Sequence, residues 1–322
     1  MECKRLPRTE AVWQGQSVYR FKGMLADLEG ALPRFARVRL THEDALNEYL
    51  DLVLREPTDD DDRRVPVATV SRRYALIQHQ DAVAWVRKAF EEQEWDPSTI
   101  GITAWMSEYG ERFRAEIALP VEAEAVNVGD MLRAEVRLWN SVDRSRAFEV
   151  AIGWMRLICT NGLAVWSGDR LRKIHHVDWM SRESPMDFLL ERLPKSRDQV
   201  AELRRWAEVK ITMDRLVGWV DGDVSGKWGK TRAARVLHIS RTGSDCAVGR
   251  HAEARKPSEL EVTGLAKVPG APAKTDNVYD LYQTLLWLAG QEKSLEQRES
   301  MTAETLPLIA PLLPQSMRGA AA

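Results

Sequence analysis

The most regular alternation of apolar and polar positions lies in residues 110–120, GERFRAEIALP, where Phe113, Ala115, Ile117 and Leu119 interleave with Arg112, Arg114 and Glu116. Period two puts successive side chains on opposite faces of an extended chain, so this segment is a strand with one buried and one wet face. ITAWMSEY is its hairpin partner across residues 108–110. MLRAEVRLW repeats the alternation with Leu132, Ala134, Val136 and Leu138 inward, and RAFEVAIGWMRLIC follows the polar turn NSVDRS. VPVATVSRRYALIQ reads as a further strand upstream. Paired hairpins after a helix predict an antiparallel sheet with helices on one face and a helical C-terminal part, an α+β fold.

Helical spacing accounts for most of the rest. Thr41 and Asp44 make a capping-box signal before ALNEYLDLVLRE, whose Leu46, Tyr49, Leu50 and Val53 share a helical face, so a helix of about 14 residues is expected there. Asp81 can cap DAVAWVRKAFEEQ. Ser184, Pro185 and Asp187 open a helix over MDFLLERL that Pro194 stops, and SRDQVAELRRWAEVKITMDRLVGWV resumes it. Residues 221–230 are rich in Gly, Asp and Lys and read as a loop. Residues 256–275, with Pro257, Pro269 and Pro272, read as a linker. DNVYDLYQTLLWLAG is an amphipathic helix closed by Gly290, before a frayed tail ending RGAAA. The resulting division is an N-terminal extension with one helix (1–64), an α+β core (65–255), a linker (256–275) and a C-terminal helix with its tail (276–322).

Hydrophobic residues are 44% and charged residues 29% of the 322, the balance of a globular protein rather than a disordered chain. Apolar runs fall far short of the roughly 20 residues that span a bilayer, and MECKRLPRTE lacks an apolar signal region, so a cytoplasmic protein without a membrane partner is expected. Cys3, Cys159 and Cys246 are odd in number and widely separated, which argues against a disulfide framework or a paired zinc knuckle. Residues 170–256 hold 19 cationic against 12 acidic side chains within a chain of net charge -2. Such a segment meets a polyanion or is simply solvated.

Within it, Lys227, Trp228, Lys230, Arg232, Arg235, Arg241 and Arg250 mix cations with an aromatic ring, a composition suited to phosphates and stacked bases of a single strand. The alternative is a half-buried Trp228 among solvating cations. SGKWGKT carries the Gly-Lys-Thr tail of a phosphate loop, but Val224 occupies the place of its first glycine and no buried strand leads into it. The four aspartates at 59–62 are adjacent rather than alternating, unlike hard-cation ligands. Neither adjacent His175 and His176 nor Cys159 at the end of a strand has the companions of a zinc site or a nucleophile. No catalytic set, metal or cofactor is expected.

Four segments in order, VSRRYALIQ, NSVDRS, RLICTNGL and NVYDLYQTL, resemble the phage/plasmid-like family known as domain of unknown function 932, overlapping the one numbered 945. The resemblance spans residues 65–290 and marks Ser71 and Tyr74; Asn140, Ser141 and Asp143; Arg156, Cys159, Asn161 and Gly162; and, more loosely, His175 and Tyr282. Val142 stands where the family pattern has a histidine and Arg144 where it has a glycine. Gly162 and the Asn-Ser-x-Asp turn also have structural explanations, in a left-handed backbone and a side-chain-capped turn. The layout is similar to that of phage single-strand annealing proteins. The resemblance therefore implies a non-enzymatic, oligomeric protein of mobile elements that binds single-stranded DNA. A factor that binds a host protein is the alternative.

Overall fold

The computed structural model describes residues 2–8, 10–43, 45–59, 61–120, 124–126, 131–156, 163–165, 170–173, 185–192, 196–249 and 256–320. The chain folds as two compact units, the first comprising 1–122, 134–153 and 168–196 and the second 123–133, 154–167 and 197–322.

The first unit is built on an antiparallel sheet. Strands β1 (Glu2–Arg5), β2 (Val12–Trp13), β3 (Gln16–Ser17) and β4 (Tyr19–Met24) precede a short helix α1 (Leu25–Leu28). Next come β5 (Phe35–His42), β6 (Ala45–Arg55), β7 (Val65–Ser71) and helix α2 (His79–Glu91), then β8 (Gly101–Met106) and β9 (Arg112–Ala118). β10 (Glu124–Ala125), β11 (Met131–Ser141), β12 (Phe148–Arg156), β13 (Leu163–Val165) and β14 (Arg170–Lys173) follow, before helix α3 (Pro185–Arg192). The large sheet runs β1-β4-β8-β9-β11-β12-β13, with β10 on β11 and β14 on β12. The outer ends of β11 and β12, with β10 and β13, belong to the second unit.

Register explains which residues are buried. Ile117 pairs with both Ile102 and Val136, and Phe113 with Met106 and Asn140, so the apolar residues of neighbouring strands stack on one face. α2 packs on that face, His79 stacking on Phe113 and Trp85 meeting Phe148 edge-on with ring centroids 5.6 Å apart, and its Val83, Val86 and Phe90 are fully buried. The opposite face carries cross-strand rows of polar residues, but it is not the wet face that the alternation predicts, since Arg114, Glu135, Arg137 and Trp139 are all buried. Trp105 pairs with Arg114 and Arg114 with Trp139, while Thr103 pairs with Glu116 and Glu116 with Arg137.

Residues 41–55 are not helical. β5 and β6 form a hairpin, and β7 pairs with β6 to complete a separate three-stranded sheet. The i, i+3, i+4, i+7 spacing that predicts a helix coexists with the alternation of Leu50, Leu52 and Leu54 with Asp51, Val53 and Arg55, and pairing with β5 and β7 decides for the strand: Asp51, Val53 and Arg55 are buried, Leu50, Leu52 and Leu54 half-buried. Phe35, Val53, Val70, Tyr74 and Val142 make the small core beneath this sheet. Residues 1–64 thus contribute β1 and β4 to the large sheet and β5 and β6 to the small one.

The second unit is mainly helical: α4 (Ser196–Glu208), α5 (Met213–Trp219), α6 (Ser225–Trp228), α7 (Lys230–Thr242), α8 (Val278–Gly290) and α9 (Leu295–Ile309). Residues 221–230, expected as a loop, are helical too. A π-turn, Val220–Val224, joins α5 to α6, because Val220, Val224 and Trp228 recur every fourth residue and are all buried. Gly229, at φ 83°, separates α6 from α7. The expected linker 256–275 includes β16 (Val262–Lys267), which pairs with β15 (Ser244–Val248). The C-terminal segment is not frayed through residue 320: Ser294 caps α9 by accepting from the Gln297 amide, and two 3-10 turns follow. No helix among the described residues is long and apolar enough to cross a membrane.

Candidate functional site

The cations expected to bind nucleic acid do not converge. Trp228 is 4% exposed and its indole Nε1 donates to Glu304 Oε2 at 2.9 Å, so its ring offers no stacking face. Lys227 Nζ lies 3.5 Å from Glu304 Oε1, and Arg232 Nε 2.8 Å from Glu292 Oε1. Arg235 makes a two-pronged bond to Asp245 at 2.9 and 2.8 Å, which raises its pKa above the ordinary guanidinium value. Lys230 opens α7, and exposed Arg241 lies in its last turn. At about 100° per residue, Arg241 lies about 180° around the helix from Arg232. Arg250 lies outside the described residues. The segment 227–241 is therefore a set of helices tied together by ion pairs rather than a basic groove. Nor does it have the strand-loop-helix form of a phosphate loop, since residues 225–228 are helical and are preceded by the Val220–Val224 turn rather than by a strand.

The motif residues of the first unit do converge, in a buried junction between the two sheets. Tyr74, which burial pushes above its usual pKa, donates its hydroxyl to the Ser141 carbonyl at 3.2 Å. Asn140 Nδ2 donates to the Ile77 carbonyl at 2.9 Å and lies 3.0 Å from His79 Nδ1. His79, which sequence reasoning missed, reaches the Gly110 carbonyl with Nε2 at 2.8 Å. A carbonyl only accepts, so Nε2 carries the hydrogen and Nδ1 accepts from Asn140. Phe113 stacks on the imidazole at 5.1 Å and Phe35 meets its edge at 5.4 Å. In the turn, Ser141 Oγ binds both the carbonyl and the amide of Arg146, and Asp143 accepts from Arg112 Nε at 2.7 Å and the Ser145 amide at 2.9 Å. Arg144 sits at φ 66°, a left-handed backbone that explains the glycine of the family pattern. Val142 is fully buried in the small core, where a histidine would need a polar partner. These residues hold the fold. Ser71 is exposed at the end of β7. Arg156 ends β12, and Cys159, Asn161, Gly162, His175 and His176 lie outside the described residues.

The polar face of the large sheet holds a buried carboxylate with a raised pKa. Glu135 is 3% exposed, and burial, followed by the Glu116 carboxylate, pushes its pKa up to about 7 against the opposing pull of Arg137, whose Nε it accepts at 2.7 Å. Arg114 bonds Glu116 and packs its guanidinium over Trp105, 5.2 Å from the ring centroid. Two acids and two arginines make this a paired charge ladder.

The remaining cluster opens to solvent. Arg37, Val38, Arg39, Asp51 and Arg72 line a shallow cleft of about 240 Å³ in the three-stranded sheet. Register sets Arg39 opposite Asp51 and Arg37 opposite Val53 on the face of β6 that carries Asp51. Asp51 is 5% exposed; Arg37 Nε lies 3.3 Å from its Oδ2 and Arg39 NH1 4.0 Å from its Oδ1, and Oδ1 accepts no hydrogen bond. Three guanidinium groups facing one carboxylate leave a net charge of about +2. Arg72 also reaches the Asn47 carbonyl at 3.3 Å, and its amide bonds the carbonyl of Tyr49, whose side chain is 78% exposed. Of the aspartates at 59–62, Asp61 is taken by Arg63 and Arg55, which hold its carboxyl well below the usual range. No group of metal ligands occurs among the described residues.

Fold and site together define an α+β protein with two structural units, a buried polar junction and an arginine cleft at a sheet margin. The chain belongs to the family described as Domain of unknown function (DUF932), whose profile matches residues 66–236. No curated protein and no solved structure matches it.

Proposed function

We propose that the chain is a non-enzymatic binding protein of the phage and plasmid gene pool, and that it engages an acidic protein partner through Arg37, Arg39 and Arg72. The arginine cleft carries this reading, because its three exposed cations share the single carboxylate of Asp51, whereas Lys227, Arg232 and Arg235 are paired with Glu304, Glu292 and Asp245. Protein is favoured over nucleic acid by what surrounds the cleft. Val38, Leu40, Leu52 and Leu54 are half-exposed nearby, a mixture of apolar and cationic surface typical of protein contacts. Phosphate tracking needs a longer cationic path than three guanidinium groups beside a carboxylate.

The test is a pair of titrations by fluorescence anisotropy, one with labelled poly-glutamate of about 20 residues and one with a dT oligonucleotide of similar length, at about 50 and 200 mM salt. Poly-glutamate should bind, and Arg39→Glu with Arg72→Glu should weaken it at least about tenfold. Tighter binding of the oligonucleotide, lost in the same double variant, would replace the reading with single-strand binding. Binding of neither would end it.

A further inference from the structure

A strand's main-chain groups alternate sides, so bonds at one residue fix the direction of the next. The Phe35 amide donates to Gln78 Oε1 at 3.0 Å and its carbonyl accepts from Gln78 Nε2 at 2.8 Å, whereas the Arg34 carbonyl accepts from the Glu56 amide at 2.8 Å, on the β6 side. Even-numbered residues of β5 therefore bond to β6. Arg37 and Arg39 turn N–H and C=O outward, and no described strand pairs with that margin. The two faces beside it differ sharply. One carries Arg37 and Arg39 around Asp51; the other carries Val38 opposite Leu52 and Ala36 opposite Leu54, all half-buried.

We infer that β5 accepts an extended segment of a partner protein as a fourth strand, and that this segment alternates acidic and apolar side chains. Main-chain bonds to Arg37 and Arg39 supply the register. Acidic side chains on one face of the added strand meet Arg37 and Arg39, with Arg72 on the far wall of the cleft. Apolar side chains on the other face cover Val38 and Leu40. A second copy of β5 fits poorly, because antiparallel pairing centred on Val38 sets Arg37 against Arg39, and like charges directly opposite each other destabilise a pair. The inference rests on the binding-protein reading above and names the shape and chemistry of its partner.

The experiment uses the full chain and an acetylated, labelled decapeptide of alternating Glu and Val, compared with a peptide of the same composition in two blocks. Two further peptides carry N-methyl groups on the odd or on the even amides. The alternating peptide should bind at least about tenfold tighter than the block peptide. One methylated series should lose about tenfold in affinity and the other should stay within about threefold, because only one set of amides faces β5. Arg39→Glu with Arg72→Glu should also lower affinity by about tenfold. Equal binding of alternating and block peptides, or equal loss in both methylated series, overturns strand addition. In that outcome the binding-protein reading survives if poly-glutamate still binds through the same arginines. Failure of every acidic probe removes both. The methylated peptides leave the protein unchanged, so a misfolded variant cannot mask the answer.

Discussion

Replacing His79 by Phe isolates the polar contribution of the junction between the sheets. A benzyl ring keeps most of the packing against Phe35 and Phe113, whose centroids lie 5.4 and 5.1 Å from the imidazole. It removes the partners of two buried groups, the Gly110 carbonyl and one Asn140 N–H; the Asn140 amide keeps only the Ile77 carbonyl. A buried polar group left unpaired costs about 1–3 kcal/mol, so His79→Phe should destabilise by about 3 kcal/mol in all. With an m-value of about 3 kcal/mol/M, the urea midpoint followed by tryptophan fluorescence should fall by about 1 M with little change in slope. His42→Phe serves as control, since His42 is exposed at the end of β5 and should move the midpoint very little. A shift for His79→Phe no larger than the control's would show that the imidazole is held by ring packing alone, and the hydrogen-bond argument would fail.

Three other outcomes follow from the same structure. Gly110→Ala should cost at least about 2 kcal/mol in urea unfolding, because φ is 74° there and an added Cβ meets Pro33; an unchanged midpoint would mean that the turn is not as tight as described. Glu135 has a folded pKa of about 7, above its ordinary 4.5, so the folded state keeps a proton that the unfolded chain has released between those values. Stability should then fall as pH rises through that window, by no more than about 3 kcal/mol, and level off above it. Glu135→Gln should abolish the fall, and a variant whose midpoint follows the wild-type pH profile would rule burial out as the cause. Arg235→Ala should cost about 1–2 kcal/mol by breaking the bond to Asp245 and leave the oligonucleotide titration unchanged; loss of oligonucleotide binding would restore the basic-segment reading.

The antiparallel core was legible because Phe113, Ala115, Ile117 and Leu119 alternate with charges on a strand that is polar on one face only. α2 and α8 showed through their spacing, but their starts did not: α2 begins at His79 with Gln78 rather than Asp81 at its N-cap, and α8 is capped by Asn277, which accepts from the Asp280 amide. β6 was misread because Leu46, Leu50 and Val53 satisfy helical spacing while LDLVLR also alternates, and pairing with β5 and β7 decides between the two. Local composition misled at residues 221–230, where Gly222 and Gly226 suggest a loop but Val220, Val224 and Trp228 bury a helical stripe. The cleft escaped detection because Arg37 and Arg39 come from β5, Asp51 from β6 and Arg72 from the turn after β7, and a helical reading of residues 41–55 separates them. Arg232 and Arg235 looked available because their carboxylates, Glu292 and Asp245, sit 60 and 10 residues further along the chain.

The small sheet has two unequal margins. On β7, the Arg144 guanidinium bonds the Thr69 carbonyl at 3.0 Å and so plugs that side, whereas no described strand covers β5 beyond Gln78 and its paired arginines resist a copy of themselves. Strand addition as inferred above would fill the open margin of this sheet, and the like charges of Arg37 and Arg39 would oppose its use for pairing with a second copy of the chain.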